Sequence, residues 1–266
     1  MLTREKTIDQ LNELEIPNGA TVIMHTSLRS IGRIEGGAEA LLDTLINYFT
    51  ERDTVLIVPT HTWHKLGTTD ITLDMLYPET CLGVFPTVAL FDPRGKRSEN
   101  PTHSVVAFGQ KERVEKLLAN EAYVDTPTSP NGVYATLAST LGHIMLVGVG
   151  QDKNTFIHSA DEMLGVANRI ELNPTRATVR CRDGRVIERD LYMFNEAIYG
   201  DTSLRFPKYE AAFRYHNLIK DGNLGEAKVQ LADAGGVLRL LSTIYERAKP
   251  YDPMSDDAPL DPRLYQ

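Results

Sequence analysis

The sequence predicts an α/β fold: a three-layer α/β/α arrangement with a mostly parallel central sheet and an inserted β-hairpin and helical region. Three observations predict it. Short apolar runs at residues 20–24 (ATVIM), 54–59 (TVLIVP) and 144–148 (IMLVG) have strand length and almost no polar residue, as strands covered on both faces do. A helix-patterned segment separates the first two, and the order strand, helix, strand gives a right-handed crossover and a parallel pair. Alternating apolar and polar residues flank Asp183-Gly184 at 177–181 and 186–192, which signals a hairpin.

The elements follow in order. Residues 4–14 place Ile8, Leu11 and Leu14 at helical spacing, with Thr3 or Thr7 as cap. Pro17 and Gly19 end that helix, and the strand at 20–24 runs into the loop HTSLRSIG. Gly36 and Gly37 precede a helix at 38–49 that repeats Leu41, Leu42, Leu45, Ile46 and Phe49. After the strand at 54–59, residues 60–80 read as a long loop over the strand ends. Residues 84–91 read as a short helix, 97–101 as a polar turn, 104–108 as a strand and 112–119 as a helix. Pro127, Pro130, Asn131 and Gly132 punctuate a loop before a helix at 133–140. Beyond the hairpin come a helix around 208–220, a short strand near 226–231 and a last helix at 234–248. The tail KPYDPMSDDAPLDPRLYQ, rich in proline, reads as a loose strap over about 250–266. With no repeat or linker, residues 1–266 read as one domain.

Composition narrows the classes of function. A chain of 266 residues buries enough surface to need neither staples nor metals. Its two cysteines, Cys81 and Cys181, have no C-x-x-C spacing, which argues against a disulfide framework or structural zinc and fits a reducing cytoplasm. The charged start MLTREKTIDQL has no apolar core of a signal peptide. No apolar run approaches the ~20 residues of a membrane span. The net charge of −8 weighs against nucleic acid and is compatible with a cationic small molecule. Asp125, Asp161 and Asp256 are candidates to line a pocket for a polycation. A monomer and a homodimer fit equally well.

Three segments carry candidate chemistry. In the first, Thr26, Ser27, Leu28, Arg29 and Ser30 follow a buried strand, where loops of open α/β sheets bind ligands. Hydroxyls, free backbone amides and an arginine suit phosphate or pyrophosphate, although such loops are also plain turns. The second, KRSENPTHS, sets Lys96 and Arg97 beside Ser98, His103 and Ser104. It reads as a 3′-phosphate site or as a solvated turn. The third, NTFIHSADE, starts a helix after the strand IMLVG and puts His158 and Glu162 at i and i+4. A carboxylate beside an imidazole fixes the tautomer a general base needs. His61 and His64, with His25, suggest zinc by counting alone. No H-E-x-x-H, Walker A loop, G-x-S-x-G elbow or dinucleotide fingerprint occurs.

Taken in order, HTSLRSIGRIEGG, KRSENPTHSVVAFG and LVGVGQDKNTFIHSADE resemble three motifs of the aminoglycoside 3-N-acetyltransferase family, H-S/T-S-x-x-x-x-G, R-S-x-H-P-x-x-S-x-x-A-x-G and L-L-G-x-x-x-x-x-x-T-x-x-H-x-A-E. The resemblance runs from about Leu11 to Asn173, and more faintly to the C-terminus. It implies acetyl-coenzyme A as cosubstrate, no metal, and an amine acceptor such as the 3-amino group of an aminoglycoside. It implies that His158, with Glu162 beside it, removes the amine proton, His103 being the rival base. It also implies that Thr26, Ser27, Leu28, Arg29, Ser30, Arg97, Ser98 and Ser104 embrace coenzyme A. The chain departs from the pattern at Asn100, often histidine in the family, and at Thr87, often glutamate. A non-catalytic coenzyme A-binding protein of the same fold and a metal-dependent hydrolase built on His25, His61 and His64 are the alternatives.

Overall fold

The computed structural model describes residues 1–63 and 71–266. In chain order its elements begin with α1 (Arg4–Glu13), β1 (Thr21–Thr26), α2 (Leu28–Ile31), α3 (Gly37–Thr50), β2 (Val55–Pro59), β3 (Ile71–Asp74), α4 (Val84–Phe91), β4 (Lys96–Arg97) and β5 (Val105–Phe108). Next come α5 (Lys111–Leu118), α6 (Val133–Ser139), β6 (Gly142–Val147), α7 (Thr155–Met163), β7 (Thr175–Arg180) and β8 (Val186–Leu191). The chain closes with α8 (Glu196–Tyr199), α9 (Glu210–Tyr215), β9 (Ile219–Leu224), β10 (Ala227–Asp233) and α10 (Ala234–Ala248).

The main sheet has the order β4-β5-β2-β1-β6-β10-β9. Its centre, β2-β1-β6, is parallel. β5 and β10 run against their neighbours β2 and β6, and β4 and β9 run against β5 and β10 in turn. Reversing twice restores direction, so five of the seven strands point one way.

The period of two along each strand separates two cores. Ile23, Ile57, Ile144 and Leu146 face one side, under α6, α7 and α10. Val22, Met24, Leu56, Val58, Met145 and Val147 face the other, under α1, α3 and α4. The helical stripe predicted on α3 (Leu41, Leu42, Leu45, Ile46, Phe49) is buried there, at about 1.5–3 kcal/mol for each large side chain removed from water.

The hairpin β7–β8 forms as its alternation predicts, and β3 joins it in a second sheet of order β3-β7-β8. The sequence places residues 71–74 in a loop instead. Four residues carry too little periodicity to declare a strand whose partner lies a hundred positions away. The helix expected over 208–220 stops at Tyr215, and polar IKDGNL forms edge strand β9 instead. Gly222 explains the fit of that edge, because a Cβ there would meet Leu14 Cδ2 at 2.5 Å and hold α1 off.

The tail, expected to be loose, packs against the body. Met254, Leu260 and Tyr265 are buried with α10 and α9. His216 Nε2 lies 2.6 Å from the Tyr265 carbonyl, and the Arg169 guanidinium grips Asp252. Proline content alone misleads here, since a few apolar anchors and one carboxylate suffice to seat the segment.

Candidate functional site

Two cavities open at the carboxyl ends of β1, β2 and β6. One, of about 490 Å³, is lined by Thr26, Ser27, Leu28 and Arg29, with Leu82 to Pro86 and Val149 opposite. The other, of about 400 Å³, has His25, His61, His103 and His158 in its wall. His25, Leu82 and Lys153 line both.

The first cavity is shaped by the loop read from sequence. Ser27 N–H donates to the Val147 carbonyl at 2.9 Å, and Ser30 Oγ donates to Ser27 Oγ at 2.9 Å and to the Gly148 carbonyl at 3.2 Å. Gly148 is required at this approach: its φ is +63°, and a Cβ would meet Ser30 Cβ at 2.4 Å. The Thr26 hydroxyl is buried and has no hydrogen-bond partner within the protein.

The second cavity is a histidine-walled cleft with an acidic rim. His158 sits one turn into α7, with its ring stacked on Phe194 at 4.2 Å and edge-on to Phe206 at 4.8 Å. His61 and His103 lie 4.5 Å apart, centroid to centroid. The Tyr134 hydroxyl donates to the His103 carbonyl at 2.9 Å and lies 2.8 Å from His61 Nε2. Its proton is thereby committed, so His61 Nε2 is the donor in that contact. His103 is set by Asn100, whose Oδ1 accepts from its backbone N–H at 2.9 Å and whose Nδ2 donates to the Pro127 carbonyl at 3.0 Å. The departure at Asn100 is therefore a buried turn brace. Asp152, Glu196 and Asp201 line the cleft, with Trp63 beside them.

Burial fixes the charge state of these rings. Loss of water pushes His158 and His25 down to about 4 and His103 to about 3, and holds His61 well below its ordinary value. For His158, the Asp201 carboxylate opposes that shift and Arg169 adds to it. Each ring is therefore a neutral imidazole at pH 7, able to accept a proton. Among the described residues, no group of three or more His, Cys, Asp or Glu side chains is arranged to hold a metal ion; His64 lies outside them.

The structure distributes the other expected residues differently. Glu162 follows His158 by one turn but points to Thr126 and Thr128, whose hydroxyls donate to its two oxygens. Counted from His158, the acidic place in T-x-x-H-x-A-E is Asp161. Asp161 is fully buried and ion-paired with Arg169 at 2.6 Å. Arg97 is buried as well: Nε donates to Ser104 Oγ at 3.1 Å, and Nη2 donates to the carbonyls of Thr60 at 3.1 Å and Glu79 at 2.7 Å. Ser98 Oγ accepts from Val105 N–H at 3.0 Å, and Ser104 Oγ donates to the Thr60 carbonyl at 2.8 Å. Arg97 lines a third cavity, near Cys181 and Arg182, and none of these three residues lines the cavity of the Thr26–Arg29 loop. Asp125 and Asp256 do not line the cleft either. Phe194 and Asp201 escape functional notice in the sequence, because they lie beyond the hairpin, far along the chain from any motif. His25 opens the first motif and enters the zinc count, but the sequence gives it no place in the acyl-transfer reading.

Two neighbouring cavities thus share part of their walls at the strand ends of an α/β fold. Residues 23–246 match the family model for aminoglycoside 3-N-acetyltransferase. The chain belongs to that family and is an acyltransferase by class. It is 28% identical over 251 residues to the SPbeta prophage-derived aminoglycoside N(3')-acetyltransferase-like protein YokD of Bacillus subtilis (strain 168), covering 86% of this chain and 87% of that one. It is 27% identical over 235 residues to aminoglycoside N(3)-acetyltransferase IV of Salmonella sp, covering 86% and 81%. The fold matches the crystal structure of aminoglycoside acetyltransferase AAC(3)-IIb with a TM-score of 0.77 at 19% identity, over 93% of this chain and 97% of that one. It matches a mutant of AAC(3)-IVa in complex with apramycin with a TM-score of 0.74 at 24% identity, over 96% and 94%.

Proposed function

We propose that this protein transfers an acetyl group from acetyl-coenzyme A directly to an amine of a small cationic acceptor, with His158 as general base. The observation that carries this reading is the pair of cavities meeting beside His25, with a neutral His158 on one side of the junction. The larger, less polar cavity suits the acyl-pantetheine arm of the donor. The buried hydroxyl of Thr26 and Nε2 of His25, both without protein partners, fit a polar group entering there. The acid-rimmed cleft suits the acceptor, because Asp152, Glu196 and Asp201 attract ammonium groups.

The donor supplies an acetyl thioester: the acceptor nitrogen bonds to the acetyl carbon as the carbon–sulfur bond breaks. His158 takes the proton the nitrogen loses and returns it to the leaving sulfur, so coenzyme A departs as the thiol. Phe194 and Phe206 pack against the ring and hold its orientation. The acid rim orients the acceptor, and relatives with apramycin and a gentamicin bound make aminoglycosides the first acceptors to test. A thiol-release assay with acetyl-coenzyme A and a panel of amines tests the reading. General-base catalysis contributes about 10²–10⁴-fold, so His158→Ala should lower kcat by about that factor with coenzyme A binding little changed. A folded His158→Ala protein with near-normal turnover refutes the role of His158, and no thiol release with any amine refutes the reading itself.

A further inference from the structure

His25 lies one residue before the end of β1, at the junction of the two cavities, its backbone paired with Leu146 of β6. Its ring is buried, with 8% of the residue exposed, and Nε2 has no hydrogen-bond partner in the protein. A buried polar atom left unpaired is destabilising, and such orphans mark places where a ligand completes the bond. The other two residues common to both cavities cannot play this part equally well. Leu82 has no polar side-chain atom, and Lys153 is largely exposed and paired with Asp152 at 2.9 Å. Burial also holds the His25 ring neutral, so it carries a single N–H.

The carbonyl under attack must be reached by the donor from one cavity and by the acceptor from the other. That places it beside the residues the cavities share. We propose that His25 is a further catalytic residue whose Nε2–H donates a hydrogen bond to the acetyl carbonyl oxygen of the bound donor. The bond strengthens as negative charge develops on that oxygen, and no proton or group passes through His25. The inference rests on the acyl-transfer reading above.

Three substitutions separate the ring's atoms. In His25→Gln the amide nitrogen reaches close to the place of Nε2; in His25→Asn it reaches only that of Nδ1; His25→Phe fills the space with no donor. Loss of one such donor costs about 10²–10³-fold in kcat. His25→Phe and His25→Asn should show that loss with KM for acetyl-coenzyme A and coenzyme A affinity by calorimetry nearly unchanged, and His25→Gln should recover most of it. The carbonyl stretch of bound, carbon-13-labelled acetyl-coenzyme A should lie at lower frequency in the wild type and His25→Gln than in His25→Phe. Normal kcat in His25→Phe, equal loss in all three variants, loss confined to coenzyme A affinity, or transfer of the effect to Lys153→Met would each overturn the proposal. A wild-type protein inactive toward every amine would overturn the acyl-transfer reading with it. Normal turnover in His25→Phe beside an inactive His158→Ala would overturn His25 alone.

Discussion

Replacing Arg169 with methionine removes the cation from a closed ionic knot beneath the site. Arg169 Nε meets Asp161 at 2.6 Å, and Nη1 and Nη2 meet the two oxygens of Asp252 at 2.8 and 2.9 Å. Burial opposes charge on Arg169, but Asp161 and Asp252 more than offset it and hold its pKa above the ordinary value. The side chains of Arg169 and Asp161 are 4% and 0% exposed, so neither can turn to water. Asp252, at 17%, can. Losing one partner of a buried pair costs about 3–5 kcal/mol, because the other charge stays buried and uncompensated. The bond from the Tyr245 hydroxyl to Asp161, 2.8 Å, survives the change and places the expected loss near the lower end, about 3 kcal/mol. For a domain of this size that is a fall in Tm of roughly 6–12 °C, readable by calorimetry or urea titration. Adding Asp161→Asn should recover most of it, since no buried charge then remains. A loss under about 1 kcal/mol, or a double variant no more stable than the single one, would refute the reasoning.

Other outcomes follow from the same geometry. His25, His103 and His158 have folded pKa values of about 4, 3 and 4, below the unfolded value, so the unfolded chain binds their protons first. Stability should be fully present above about pH 6.5 and fall on acidification toward 4, by up to about 1.4 kcal/mol per pH unit for each ring; urea titrations at pH 7.5, 6 and 5 check the direction, and His103→Gln should flatten the fall. The limb of kcat/KM that belongs to His158 should appear near pH 4 rather than near 6.5, so a kcat/KM that halves at about 6.5 and follows imidazole titration would count against the desolvated, neutral ring. Arg97→Ala should reduce stability by about 1–3 kcal/mol, through the loss of the donors that Arg97 gives to Ser104 Oγ and to the Thr60 and Glu79 carbonyls. It should weaken coenzyme A and its 3′-dephospho form equally, and a selective loss for coenzyme A would return Arg97 to the phosphate. Glu162→Gln should change kcat by less than about tenfold, because its oxygens serve Thr126 and Thr128 rather than His158.

Much of the fold was legible because its central strands are covered on both faces. β1, β2 and β6 read as unbroken apolar runs, and α3 and α10 carry clean stripes. Legibility ended where a segment's state depends on a distant partner. β3 is four residues held by β7, and β9 is a polar edge held by β10. The tail is ordered by Met254 and by the Asp252–Arg169 contact, and neither is visible to a reading of local composition.

The site divides along a similar line. The motif residues Thr26–Arg29 and His158 line cavities because both segments follow the carboxyl end of a buried strand, where geometry is nearly fixed by topology. Arg97, Ser98 and Ser104 lie away from those cavities and bond within the protein, because a hydroxyl or guanidinium suited to phosphate is equally suited to a backbone carbonyl. Only burial tells the two uses apart. The same ambiguity attached Glu162 to His158: a spacing of four sets two Cα atoms on one helix face, yet the side chains follow their partners. Thr126 and Thr128 turn Glu162 away, and Arg169 claims Asp161. The carboxylate whose charge His158 feels is Asp201, forty-three positions on, beside the start of a short helical turn. Asp201 Oδ1 accepts from Ser203 N–H at 2.9 Å, and asparagine would keep that bond while losing the charge. Asp201→Asn should therefore spare the fold and act on chemistry alone. If Asp201 stabilises the protonated His158 during transfer, kcat falls and the change has no further effect in a His158→Ala background. If it holds an acceptor ammonium, KM for the acceptor rises in both backgrounds. Unchanged kcat and KM would show that the charge reaching His158 has no part in turnover.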